Sequence, residues 1–118
     1  MSKFSISDLP AGSSVHMIGI GGISMSALAE ILINFGYKVT GSDVRDSNLI
    51  ERLRKNGAKI YIGQSADNID SPDLVCYTAA ISETNPELVK ARTLGVPVIE
   101  RAELLGAVMK KYKYPIAV

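Results

Sequence analysis

The sequence is poor in the residues from which covalent cross-links and metal sites are built. Among its 118 residues there is one cysteine, Cys76, and one histidine, His16. A single cysteine excludes an internal disulfide, and no Cys/His cluster has the spacing of a zinc site. Both residues lie in apolar runs, so we predict that each is a packed side chain of the interior rather than a reactive group.

Charge of one sign and long apolar runs are also lacking. Thirteen Lys and Arg residues oppose 12 Asp and Glu residues, which gives a net charge of +1 and no electrostatic footprint for nucleic acid or a membrane surface. No apolar run approaches the ~20 residues of a membrane span, and the start lacks the pattern of a secretory leader. With 47% hydrophobic residues, the sequence predicts one globular cytoplasmic domain that binds neither nucleic acid nor membrane.

Short runs rich in β-branched residues alternate with helix-like segments. We predict strands over residues 15–20, 38–43, 58–63, 73–79 and 96–100. We predict helices over residues 26–35, 47–56, 86–94 and 102–110, the second capped by Ser47 and the third by Asn85. This alternation is typical of parallel strands with helical crossovers. The predicted fold is therefore α/β: a Rossmann-like, doubly wound sheet of about five strands, ordered near 3-2-1-4-5, with helices on both faces.

A glycine cluster joins the first predicted strand to the first helix, in the stretch VHMIGIGGISMSALAEIL. Gly19 can adopt the backbone angles of a tight turn, and Gly21 lacks the Cβ that would hold a ligand away. The helix start adds unpaired N–H groups and the positive end of the helix dipole, so the loop suits a diphosphate. The alternative is that Gly19, Gly21 and Gly22 only let the chain turn. Ser24 replaces the third glycine of the G-x-G-x-x-G fingerprint, which weakens the match to an NAD site.

Two more segments follow predicted strands beside this loop. Asp43 stands near the position where the fingerprint has an acid that binds a ribose diol, and its alternative role is to cap the loop ahead of Ser47. Thr78, Ala79 and Ala80 follow the fourth strand, where they either line a ligand crevice or form a tightly packed strand end. No second carboxylate pairs with Asp43, and no ATP-binding phosphate loop is present. We therefore predict no catalytic residue, cofactor or metal within this chain.

Several ordered segments resemble the Mur ligases. They are HMIGIGGISMSALAEIL, GYKVTGSD, GAKIYIGQSADNI, VCYTAAISETNPEL, GVPVIERAELL and YPIAV, and together they extend from about residue 15 to residue 118. Members of that family join an amino acid to the lactyl carboxylate of UDP-N-acetylmuramate during cytoplasmic peptidoglycan synthesis. They use ATP and magnesium and pass through an acyl phosphate. The family has three domains: an N-terminal Rossmann-like domain for UDP, a central ATPase domain and a C-terminal domain for the amino acid.

The resemblance implies a role for residues at four places in the chain. Contacts to the diphosphate are implied for Gly19, Gly21, Gly22, Ser24 and Met25. Contacts to the uridine are implied for Ser42, Asp43, Gly63 and Gln64, and contacts to the pyrophosphate and sugar for Thr78, Ala79 and Ala80. Arg101 is implied as an anion contact or as part of a structural ion pair.

The resemblance also has implications for the whole chain. The pair Gly21 and Gly22 favours the L-alanine-adding members over those that recycle tripeptides, in which cysteine replaces Gly21. Residues 113–118 form a strand-like run that in the family leads into the ATP-binding loop. We therefore expect residues 1–118 to be the UDP-binding domain, inactive without the other two domains. The alternatives are an NAD-binding domain of an oxidoreductase and a stand-alone nucleotide-sensing module, and the sequence downstream of residue 118 would distinguish the latter.

Overall fold

The computed structural model of this chain describes the backbone of residues 9–116 and the side chains of residues 9–110. Within these residues five strands alternate with four helices and one short 3₁₀ turn. In chain order they are β1 (Ser14–Ile18), α1 (Ile23–Asn34), β2 (Lys38–Asp43), α2 (Asn48–Lys55), β3 (Lys59–Ile62), the 3₁₀ turn (Ala66–Asn68), β4 (Leu74–Tyr77), α3 (Pro86–Leu94), β5 (Val98–Glu100) and α4 (Arg101–Ile116).

The five strands form one parallel sheet in the order β3-β2-β1-β4-β5, which confirms the predicted fold class and strand order. The chain runs outward from β1 to β3, then returns to the other side of β1 for β4 and β5. The direction of winding therefore reverses between β1 and β4. In sheets of this kind, ligands bind beyond the carboxyl ends of the strands at that reversal.

The two faces of the sheet are covered differently. On one side, here called the three-helix face, α1, α2 and α4 pack on the sheet. The buried residues that these helices contribute include Leu28, Leu32, Ile50, Leu53, Leu104 and Val108. The other side, the α3 face, has a smaller apolar cluster of Ile18, Ile69, Val75, Leu88 and Ala91. Because side chains alternate along a strand, Val15 and Met17 of β1 point to the three-helix face, while His16 and Ile18 point to the α3 face.

Helix ends follow the predicted signals. The Ser47 side chain accepts a hydrogen bond from the Ile50 amide at the start of α2. The Asn85 side chain accepts from the first turn of α3, which has Pro86 at its first position and ends at Gly95 in the left-handed conformation (φ +77°). Helix α1 begins at Ile23, three residues before the predicted start at residue 26, because its first two residues, Ile23 and Ser24, are exposed and lie outside the apolar stripe of the helix.

The strand-like reading of the last segment is wrong for residues 113–116, which continue α4. A helix satisfies its own backbone hydrogen bonds residue by residue, whereas a strand there would need a neighbour in the sheet. Pro115 lacks an amide donor but lies within α4, and Ile116 is the last residue of this helix that the structure describes. Residues 117 and 118 lie outside the described residues, as do residues 1–8, for which the sequence predicts no secretory leader.

The predicted burial of the single cysteine and histidine is confirmed. Cys76 is fully buried, and burial raises the pKa of its thiol to about 12, so the group stays protonated and inert. His16 is 1% exposed within β1. In the part of the chain that the structure describes, no helix has both the length and the apolar character needed to cross a bilayer.

Candidate functional site

The predicted site residues lie at one edge of the sheet, because all five parallel strands end there. We call this the carboxyl edge. Residues 19–22 follow β1, Asp43 ends β2, residues 63–64 follow β3, residues 78–80 follow β4, and Arg101 follows β5. The loops after β1 and β4 are neighbours, since a Cβ on Gly19 would lie 3.7 Å from the Ile81 side chain.

The glycine loop is a tight turn that β2 anchors. Gly19 has φ +82°, a conformation that favours glycine, and its amide donates to the carbonyl of Ser42 at 2.8 Å. The Ile20 amide donates to the same carbonyl at 3.0 Å, and the Gly22 amide closes the turn on the carbonyl of Gly19 at 3.2 Å. The glycines therefore do turn the chain, and the turn delivers the start of α1 to the carboxyl edge.

The N-terminus of α1 carries no cap from a side chain. Gly22 is the N-cap residue and has no side chain to accept a hydrogen bond, and the first turn contains no acidic residue. Ser24 is exposed at the second helical position, while the Met25 side chain is 1% exposed and belongs to the core. Only the backbone of Met25 is therefore directed toward the edge. This arrangement leaves amide groups and the positive end of the helix dipole available to an anion.

Gly21 is a glycine for reasons internal to the protein. A Cβ at this position would lie 2.8 Å from Oδ2 of Asp43 and 3.0 Å from Cδ1 of Ile50. The Gly21 amide donates to Oδ2 of Asp43 at 2.9 Å, and Oδ1 accepts from the Val44 amide at 2.7 Å. Asp43 thus ties the glycine loop to the end of β2. Each carboxylate oxygen has a second lone pair, so both can still accept a hydrogen bond from a ligand hydroxyl.

Ser42 and Gln64 are both engaged by α3. Ser42 is fully buried, and its hydroxyl donates to Oε1 of Glu87 at 2.7 Å, so its side chain lies beneath the carboxyl edge. Gln64 is half-buried, and its Oε1 accepts from Nδ2 of Asn85 at 2.6 Å. Gly63 precedes it with φ +97° and donates its amide to the carbonyl of Asp43 at 2.7 Å. Residues 63–64 therefore lie against the end of β2.

The loop after β4 presents small side chains. Thr78 is half-buried, Ala79 and Ala80 are exposed, and the Ile81 amide closes the turn on the carbonyl of Thr78 at 3.0 Å. Arg101 begins α4 and is half-buried. None of the ion pairs among the described side chains includes Arg101, and both of its implied roles, an anion contact and a structural ion pair, stay predictions.

One buried residue of this edge, Glu87, is not predicted from the sequence. Its side chain is 0% exposed and accepts four hydrogen bonds beneath the carboxyl edge, two of them from His16 and Ser42. Burial disfavours its charge, but hydrogen bonds from His16, Asn68 and Ser42 outweigh that cost, so the pKa of Glu87 lies below its ordinary value. The sequence signal was the set His16, Thr40 and Ser42, whose alternate positions on adjacent strands place three polar side chains on one buried face.

Among the described residues, no three His, Cys, Asp or Glu side chains converge as they would around a metal ion. The carboxyl edge presents groups of the kind that can bind anions and hydroxyls. Amides at a helix start can bind phosphate oxygens, an acid beside them can accept from sugar hydroxyls, and small residues leave room for a ligand.

Comparison with known proteins connects this chain to a family. The profile of the Mur ligase family, catalytic domain, matches residues 14–113. A UDP-N-acetylmuramate–L-alanine ligase of Acetivibrio thermocellus is 56% identical over 118 residues, which are 100% of this chain and 25% of that protein. This chain therefore spans about a quarter of the length of that relative.

Solved structures agree with the sequence match. A UDP-N-acetylmuramate–alanine ligase of Thermotoga maritima superimposes with a TM-score of 0.81 and 39% identity, over 84% of this chain and 23% of that one. A murein peptide ligase of Psychrobacter arcticus gives a TM-score of 0.76 and 26% identity, over 80% of this chain and 20% of the other. Sequence and fold thus confirm the resemblance on which the site residues were assigned.

Proposed function

This chain belongs to the Mur ligase family, and we propose that it binds the UDP part of UDP-N-acetylmuramate within a ligase that adds L-alanine to that substrate. One observation carries the proposal: the uncapped start of α1 and the carboxylate of Asp43 adjoin at the carboxyl edge. A nucleoside diphosphate has the matching pair of groups, an anion beside a ribose diol. The 56% identity to a protein of that name supports the choice of substrate.

The diphosphate is assigned to the glycine loop and the first turn of α1. In this assignment the amides after Gly22 bind phosphate oxygens, and the exposed hydroxyl of Ser24 donates to them as well. Met25 contributes its backbone, since its side chain is in the core. The positive end of the α1 dipole favours the same negative charge. In this assignment Gly19 and Gly21 shape the turn, and leaving space for the ligand is not their only role.

The uridine is assigned to the pair Asp43 and Gln64. Asp43 accepts from the ribose while it continues to hold the Gly21 amide. Residues 63–64 lie beside it and offer backbone groups and the Gln64 amide to the base. Ser42 acts from below through its hydrogen bond to Glu87, so its proposed part is to hold the end of β2 in place.

The sugar is assigned to the loop after β4. Ala79 and Ala80 are exposed and small, so the substrate can pass close to the backbone, and Thr78 offers a hydroxyl. Arg101 supplies a positive charge at the same edge. In the whole ligase, ATP and magnesium would supply the phosphoryl chemistry that activates the carboxylate, and this chain would hold the substrate so that its reacting end projects away from the carboxyl edge.

Titration calorimetry of the folded chain with UDP, UDP-N-acetylmuramate and NAD tests the proposal. We expect weak binding of both uridine ligands and no binding of NAD. Thermal unfolding of the same samples establishes that the protein is folded. Stabilisation by NAD without stabilisation by UDP would favour an oxidoreductase domain instead. If neither UDP nor UDP-N-acetylmuramate binds at millimolar concentration, the proposal is contradicted.

A further inference from the structure

The carboxylate of Glu87 has every acceptor position filled. Oε1 accepts from Nε2 of His16 at 2.6 Å and from the Ser42 hydroxyl at 2.7 Å. Oε2 accepts from the Ser65 amide at 3.1 Å and from Nδ2 of Asn68 at 2.8 Å. A carboxylate offers about four lone-pair positions, so these four donors saturate it. A buried group with this many specific partners fixes the relative positions of all of them.

The four donors come from three separate parts of the chain. His16 is in β1 and Ser42 is near the end of β2. Ser65 immediately precedes the 3₁₀ turn after β3, and Asn68 is the last residue of that turn. Glu87 itself is in the first turn of α3. His16 is held on its other side as well, because its Nδ1 lies 2.8 Å from the Thr40 hydroxyl. One carboxylate therefore joins the central strands to a loop outside the sheet.

The partners of Glu87 adjoin the two residues assigned to the uridine. Ser42 immediately precedes Asp43, and Ser65 immediately follows Gln64. Nδ2 of Asn68 also donates to the carbonyl of Gly63 at 3.0 Å. The pairing of β2 with β3 ends at Asp43 and Ile62, and one further backbone bond, from the Gly63 amide to the Asp43 carbonyl at 2.7 Å, continues it. Beyond Gly63 no backbone bond to β2 positions the described chain, so the side chains of Gln64 and Asn68 depend on α3.

We propose that Glu87 is a positioning residue that sets the separation between Asp43 and Gln64 and thereby the affinity of the carboxyl edge for the uridine part of its ligand. The inference rests on the proposed function. Asn85, two residues earlier, reinforces the same arrangement because its Nδ2 holds the Gln64 side chain. The start of α3 thus holds residues 63–68 directly through two of its side chains. The glycine loop is instead bonded directly to the Ser42 carbonyl and the Asp43 carboxylate, and α3 reaches it only through the Ser42 hydroxyl.

Replacing Glu87 by glutamine would disrupt this set of hydrogen bonds while keeping the shape of the side chain. An amide offers one acceptor oxygen and a donor NH₂ group, so two of the four donors would face another donor. We expect Glu87→Gln to lower the affinity for UDP about tenfold, a loss on the scale of a hydrogen bond to a charged group. The affinity for inorganic pyrophosphate, which is assigned to the glycine loop and the first turn of α1, should stay unchanged. A merely structural role would not change the ratio of the two affinities in the folded protein.

Two further variants complete the experiment. Glu83→Gln makes the same chemical change in the loop before α3, on a side chain that is 70% exposed and paired with Arg92 at the surface, and should leave both affinities unchanged. Asn68→Ala removes one Glu87 contact and the contact to the Gly63 carbonyl from a half-buried position, and should lower UDP affinity in the same direction even if Glu87→Gln fails to fold. Heteronuclear NMR should show the amides of Gly63 and Gln64 shifting in both Glu87→Gln and Asn68→Ala.

The outcomes separate the two proposals. If the wild-type protein binds pyrophosphate but not UDP, or neither, the proposed function fails and the role of Glu87 fails with it. If the wild-type protein binds UDP and folded Asn68→Ala and Glu87→Gln bind it equally well, only the positioning role is overturned. Equal losses for UDP and pyrophosphate would also overturn it, because the effect would then be on the whole edge.

Discussion

The two faces of the sheet are stabilised by different kinds of interaction. The three-helix face is an apolar core in which α1, α2 and α4 bury aliphatic side chains. The α3 face has a smaller apolar cluster and, beside it, the buried network of His16, Thr40, Ser42 and Glu87. Apolar packing is tolerant of how its parts are arranged, whereas a buried polar network is stable only when every donor finds its acceptor.

The difference matters because the proposed ligand would contact the edge where both faces end. The three-helix face supplies the start of α1 and the close contact of Gly21 with Ile50. The α3 face supplies the groups that hold Ser42 and residues 63–68. We therefore expect stability to depend mainly on the first face and ligand discrimination mainly on the second. Variants on each face can break this division.

The largest effect on stability is expected from Leu28→Ala on the three-helix face. Leu28 is 1% exposed, so its truncation removes buried apolar surface and leaves a cavity, at a cost of about 3 kcal/mol in the free energy of unfolding. Urea denaturation followed by circular dichroism measures this loss in the free energy of unfolding. The control is Ile23→Ala, on the same helix, where the side chain is 82% exposed. A loss below about 1 kcal/mol would contradict the assignment of the main core to this face.

Glu87→Gln is expected to cost about 2 kcal/mol at neutral pH, because buried donors lose their acceptor. This cost should depend on pH. The pKa of Glu87 in the folded protein lies below its ordinary value of 4.5, so its stabilising contribution is complete above that pH and is lost as the pH falls through the lower, folded-state value. The difference in the free energy of unfolding between wild type and Glu87→Gln should therefore become smaller in acid. The corresponding difference between wild type and Leu28→Ala should not change with pH. Parallel pH profiles for the two variants would show that the faces do not differ in this way.

Gly21→Ala tests the junction of the faces, with Gly22→Ala as its matched control. An added Cβ at Gly21 meets Asp43 and Ile50 at 3.0 Å or less, whereas at Gly22 the nearest atom is the Gly19 carbonyl oxygen at 3.6 Å. We expect Gly21→Ala to lose about 1–2 kcal/mol of stability through overpacking, and Gly22→Ala to lose less than about 0.5 kcal/mol. Thermal unfolding of both variants measures the difference, and equal losses would mean that the loop relaxes freely away from Ile50.

The features that the sequence predicted correctly are those that local chemistry decides. The Ser47 and Asn85 caps, the strand order and the burial of Cys76 all follow from short-range patterns or from chain connectivity. The features that it did not predict depend on distant partners. Glu87 sits at a helix start, where an acid is ordinarily exposed and favoured by the dipole, and only the folded chain brings it under His16, which is 71 residues earlier. The burial of the Ser42 side chain has the same cause.

The smallest effect is expected from Asp43→Asn, which separates the two roles of this residue. Asparagine keeps one acceptor oxygen and loses the charge, so one of the bonds to Gly21 or Val44 is weakened at a cost of about 1 kcal/mol. If Asp43 also contacts the ribose, calorimetry should show the affinity for UDP falling roughly fivefold more than the affinity for pyrophosphate, a difference that corresponds to about 1 kcal/mol. If Asp43 only ties the glycine loop to β2, both ligands should lose affinity together, because the amides that bind phosphate would move. The first result would place the ribose at the end of β2, where the two faces meet, and the second would leave that strand with a purely structural part.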